Sequence, residues 1–108
     1  MKAAGQAGMN EVFYTEQALT DLERLSDFLR GSDPAAAQAT VGIIFEALDI
    51  LGHSPEIGRK IRGGNRELVI SRGSSGYLAL YRFLPSLQRV LVLAVRHQRE
   101  SGYTSAGF

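Results

Sequence analysis

Apolar positions recur at helical intervals in the first half of the chain and at strand intervals in the second. Ala18, Leu22, Leu25 and Leu29 lie three or four residues apart, with Asp21, Glu23 and Asp27 assigned to the opposite side, which predicts an amphipathic helix over roughly 16–30. Thr15 is placed to cap it, Glu16 suits the positive end of its dipole, and Gly31 is a natural stop. Asp33-Pro34 then reads as a cap followed by proline in the first turn. Ala37, Val41, Ile44, Leu48 and Leu51 continue the helical spacing, and Ile43, Phe45, Ala47 and Ile50 widen the stripe. A second helix is therefore expected over roughly 34–52, buried on more than one side. The stripe falls short of the about three heptads of a coiled coil, so packing within the chain is the expectation. A short connection between the helices makes an antiparallel hairpin.

Beyond the hairpin the period changes. Ser54–Asn65 is a basic connection with Pro55, Gly58, Gly63 and Gly64. Glu67–Ser71 reads as a strand and Arg72–Gly76 as a turn. Tyr77–Phe83 reads as a second strand, with Tyr77, Ala79, Tyr81 and Phe83 on one face and Leu78, Leu80 and Arg82 on the other. Leu84–Gln88 turns the chain into a last strand, Arg89–Arg96. Asn10–Tyr14 is β-leaning and adds an N-terminal strand. Strands joined by short turns form an antiparallel meander, and helices segregated from strands give an α+β fold. Residues 1–9 are expected as a flexible leader, 10–100 as one domain and 101–108 as a loose tail.

Composition removes several chemistries. Without cysteine there are neither disulfides nor thiolate metal sites, and a reducing cytoplasm is the expected location. His53 and His97 stand without a carboxylate cluster, so no metal site is expected. His53 reads as a cation at a helix C-terminus. Gly63-Gly64 neither follows a strand nor opens a helix, so no phosphate-binding loop and no cofactor are expected. No run approaches ~18 uninterrupted apolar residues, so no membrane contact is expected.

The near-neutral net charge of +1 hides two opposed halves: −6 over residues 1–58 and +8 over residues 59–99. Of the nine cations in the second stretch all but Lys60 are arginine, suited to carboxylates and phosphates. The apolar run Val90–Val95 delivers Arg96, His97 and Arg99 to one end of the sheet. Arg62, Arg66, Arg82, His97, Arg99 and Tyr103 form the one set suited to RNA cleavage. His97 would serve as base or acid, and an arginine would hold the phosphate. The preferred reading of the same set is a surface for acidic partner groups, with His97 a hydrogen-bonding helper, because one histidine without a partner acid makes a thin active site.

An ordered series of motifs resembles the RelE/ParE superfamily of type II toxins. Ala18 with Asp21-Leu22 is similar to the family's A-x-x-D-L pattern. Asp33-Pro34-Ala35-Ala36-Ala37 resembles the opening of its second helix. Leu51, Pro55 and Gly58-Arg59 resemble its L…P…GR element; Arg66-Glu67-Leu68 opens the first strand of the meander. Tyr77 and Tyr81-Arg82 resemble the next strand, and Val90–Arg99 the last, ending in His97-x-Arg99. The resemblance implies a helical hairpin on a curved antiparallel sheet. It also implies a cognate antitoxin, ParD-like with a ribbon-helix-helix domain, in a hetero-oligomeric complex. ParE-like members poison DNA gyrase; RelE-like members cleave mRNA on the ribosome. The long alanine-rich second helix and the ending AVRHQRE-SGY resemble the ParE branch. Of the lysines typical of RelE the region offers only Lys60, and Tyr103 follows Arg99 by four residues. The expected target-binding residues are Arg96, His97 and Arg99, and the expected antitoxin contacts Leu22, Leu25, Leu29, Arg62, Arg66 and Arg82. A ribonuclease would instead use Arg66, Arg82, His97, Arg99 and Tyr103. A non-toxic antitoxin-binding regulatory module is a third reading.

Overall fold

The computed structural model describes residues 2–6, 9–72 and 75–103. Its elements are β1 (Lys2–Gln6), β2 (Glu11–Tyr14), α1 (Glu16–Arg30), α2 (Pro34–Asp49), β3 (Arg59–Lys60), β4 (Arg66–Arg72), β5 (Ser75–Leu84) and β6 (Arg89–His97). Short 3₁₀ turns follow α2, precede β4 and link β5 to β6.

Both helices start as their caps dictate. The Thr15 hydroxyl accepts the N–H of Ala18 and the Asp33 carboxylate that of Ala36, each satisfying a donor that the first turn leaves open. α1 turns Ala18, Leu22 and Leu25 inward, and α2 turns Ala37, Thr40, Ile44 and Leu48 inward. They meet Val12, Tyr14, Ile70, Tyr77, Ala79, Tyr81, Val90, Val92 and Val95 in one core. By length and composition Pro34–Gly52 would suffice to cross a membrane, yet Ile44, Leu48 and Leu51 are fully buried in this core. The expected burial of α2 on further sides is partial, since Ile43, Phe45 and Ala47 are half-buried and Ile50 is exposed.

The α+β architecture matches expectation, with one correction to the sheet. Its order is β1-β2-β6-β5-β4-β3, and β2 runs parallel to β6 while every other neighbouring pair is antiparallel. The sheet is therefore mixed. The chain leaves β2 through the hairpin, traverses β3, β4 and β5, and brings β6 back beside β2 in the same direction. Lys2–Gln6, within the segment read as a leader, form β1 paired with β2. The basic connection likewise holds β3, too short to show an alternation.

Two features set the sheet's local geometry. The Tyr81 hydroxyl donates to the Pro55 carbonyl (2.7 Å) and accepts the Gly58 N–H (2.9 Å), pinning the loop that follows α2. Gly58 is required there, because a Cβ would sit 2.6 Å from the Tyr81 ring. In β6 the pairing with β5 slips, so that Leu80 faces Ala94 and Tyr81 faces Val92, leaving Leu93 unpaired. Helix α1 holds this bulge from above. The Thr15 hydroxyl donates to the Leu93 carbonyl (2.9 Å), and the Asp21 carboxylate accepts the Val95 N–H (2.9 Å). Asp21, assigned by spacing to the solvent side of α1, is 1% exposed for this reason.

Candidate functional site

Past the bulge, alternation sends Arg96 and His97 to opposite faces of the sheet. His97 pairs with Tyr77, which pairs with Ile70, so His97 lies on the hairpin side. Arg96 pairs with Leu78, which pairs with Val69, so Arg96 lies on the open side. The single cationic end expected from the sequence is thus two sites.

On the hairpin side the His97 ring meets Tyr77 edge-on at 5.2 Å between centroids. Its Nδ1 accepts the Arg99 backbone N–H (3.1 Å). In the neutral ring that bond leaves the proton on Nε2, making it a donor rather than a base. The His97 N–H donates to Glu100 Oε1 (2.8 Å), and Arg24 of α1 reaches Glu100 Oε2 (2.8 Å). Arg99 is exposed, and its guanidinium has no partner among the described residues. These residues, with Leu25, Phe28 and Leu29, line a groove of about 640 Å³.

On the open side Tyr103, from the segment read as a loose tail, returns to the sheet. Its hydroxyl donates to Glu67 Oε2 (2.7 Å). The Arg59 guanidinium binds Glu67 Oε1 through two nitrogens. Arg96 lies over the Tyr103 ring at 5.1 Å and donates to the Glu100 carbonyl (2.6 Å), fixing the turn that leads to Tyr103. Burial opposes the Glu67 charge. Hydrogen bonds from Tyr103 and Arg59, with the Arg59 and Arg96 charges, outweigh that and hold its carboxyl below the usual range. Burial, then the bond and charge of Glu67, push the Tyr103 phenol well above the tyrosine range.

The remaining candidates stand apart from these two sites. Arg66 donates to the carbonyls of Glu56 (3.0 Å) and Gly58 (2.8 Å) and to the Glu56 carboxylate (3.3 Å). Arg82 binds Asn65 Oδ1 (2.9 Å) and the Gly63 carbonyl, bracing the turn at Arg62–Gly64. Arg62 is exposed. Leu22 and Leu25, expected as antitoxin contacts, are 4% and 6% exposed and belong to the core; Leu25 also lines the groove, with half-buried Leu29.

Residues 12–102 match the model of the family described as ParE toxin of type II toxin-antitoxin system, parDE. The chain belongs to the ParE toxin family. It is a type II toxin of the RelE/ParE superfamily. Its curated relatives include Toxin RelE3 of Caulobacter vibrioides, 30% identical over 92 residues, spanning 85% of this chain and 98% of that one. Toxin RelE1 of the same organism is 36% identical over 75 residues, spanning 69% and 81%. Among solved structures, the chromosomal ParDE system from P. aeruginosa superposes with a TM-score of 0.70 at 22% identity, covering 82% of this chain and 96% of that one. The RelBE2 toxin-antitoxin complex from Mycobacterium tuberculosis gives 0.53 at 27% identity, covering 81% and 95%.

Within this family frame, residue type and spacing missed Glu67, Arg59, Arg24 and Glu100. One signal pointed to Glu67. It is the sole acid among residues 59–99, and a lone acid in an arginine-rich strand is placed to collect them. Arg24 and Glu100 are separated by 76 positions, and nothing local pairs them.

Proposed function

We propose that this toxin acts by binding DNA gyrase and blocking its cycle in the cytoplasm, and that a ParD-like antitoxin neutralises it. The observation that carries this reading is the pairing of Tyr103 with Glu67. RNA cleavage needs a base for the 2′-hydroxyl, a free cation for the phosphate and an acid for the leaving oxygen. Tyr103 and Arg59 are committed to Glu67, Arg66 and Arg82 to loop carbonyls, and His97 Nδ1 to a backbone N–H. Arg99 still offers a cation, but none of these committed groups is left to act as the base, and a binding role through Arg99 and His97 requires none. An antitoxin partner is supported by the toxin–antitoxin complexes among the structural relatives. The test is a supercoiling and cleavage assay with purified gyrase. Inhibition or stabilised DNA breaks is the expected result; neither, at clear toxin excess, rejects the reading.

The second reading is a ribosome-dependent ribonuclease, favoured by the RelE names of both curated relatives. Primer extension on translated mRNA after induction would then show cuts that His97→Ala or Arg99→Ala weakens. Normal growth on expression without antitoxin would favour a non-toxic module over both.

A further inference from the structure

We propose that the groove between the C-terminal half of α1 and the end of β6 docks the target protein through a bulky apolar side chain beside a carboxylate. The inference rests on the reading of the chain as a toxin with a protein target. It extends the binding surface from Arg99 and His97 onto α1.

The groove's apolar lining is Leu25, Phe28, Leu29 and Tyr77. Phe28 is 81% exposed, the most exposed large apolar side chain among the described residues. It contributes nothing to the core and leaves an aromatic face in water, the kind of anchor that protein interfaces bury. The rim supplies the second half of the argument. Glu100, its one carboxylate, is occupied by Arg24 and by the His97 N–H. Arg99 lines the same groove, exposed and with no guanidinium partner among the described residues. An apolar anchor flanked by an acid complements both features. The other groove on the hairpin, lined by Leu19, Leu22, Ala37, Val41 and Phe45, differs in character. Its charged members, Glu23 and Arg30, are of opposite sign, so it favours no acidic partner.

The experiment induces the full chain in cells as wild type, Phe28→Ala, Arg99→Glu and Leu87→Ala. The last is an equally apolar control far along the chain, 57% exposed. Survival after induction, melting temperature and co-purification with a co-expressed ParD-like antitoxin are measured. Phe28→Ala and Arg99→Glu are expected each to raise survival at least about tenfold, as loss of a central contact does. Melting temperature and antitoxin co-purification should stay at wild-type values, and Leu87→Ala should kill like wild type. Wild-type killing by either groove variant overturns the proposal. So does joint loss of killing and antitoxin binding, which would assign the groove to the antitoxin, or absence of killing by the wild type. Gyrase inhibition is read separately. If the wild type kills without inhibiting gyrase and Phe28→Ala relieves killing, the groove stands and the gyrase reading falls. If Phe28→Ala inhibits gyrase and kills like the wild type, only the groove falls.

Discussion

The carboxylate of Asp21 on α1 accepts the backbone N–H of Val95 on β6, 74 positions away, at 2.9 Å. The bulge at Leu93 disturbs the ladder beside this N–H, and a buried donor left unpaired is costly. Asp21→Ala is expected to destabilise the domain by about 1–3 kcal/mol. Asp21→Asn, which keeps an acceptor oxygen, should cost less. Urea unfolding of both variants checks the order.

The Tyr81 hydroxyl makes a comparable long-range tie. Tyr81→Phe strips partners from the Gly58 N–H and the Pro55 carbonyl together. A loss of about 1–3 kcal/mol is expected, with Gly58 amide protection falling first in hydrogen exchange. Gly58→Ala should be worse, because its Cβ meets both the Tyr81 ring and the Glu67 carbonyl.

Glu67 makes the Tyr103 contact acid-sensitive. Its carboxyl is held below the usual range in the folded chain, so it stabilises the fold above the ordinary glutamate value. That stabilisation is lost as pH falls through the lowered folded value. Tyr103 should therefore leave the sheet in acid, read from its ring resonances. Glu67→Gln should weaken the contact at neutral pH and abolish the acid step.

Gln88, closing the turn before β6, holds φ at +50°, a region that costs a residue with a Cβ. Gln88→Gly is expected to stabilise the domain by up to about 1 kcal/mol. A thermal melt decides it, and a lowered midpoint would count against the backbone argument.

Local rules made the hairpin legible. Thr15, Asp33 and the two apolar stripes predict α1 and α2 with their observed starts, because caps and periodicity act within a few residues. The meander strands follow for the same reason. The parallel pairing of β2 with β6 depends on where the whole chain returns, and no neighbour of Val12 announces it. The site was half legible. Arg99 and His97 were named from residue type, but their separation from Arg96 depends on the bulge. Asp21 was misplaced because its partner is a backbone N–H on a distant strand, which residue type does not reveal.

The unpaired Leu93 thereby acts as a parity setting for the end of β6. Upstream of it the even-numbered Val90 and Val92 point into the core; downstream the odd-numbered Val95 joins them. Counting straight through would turn Arg96 toward the hairpin and His97 toward Tyr103. One supernumerary residue thus allocates each side chain its face, and with it the division between a sealed ionic clasp and an open docking groove.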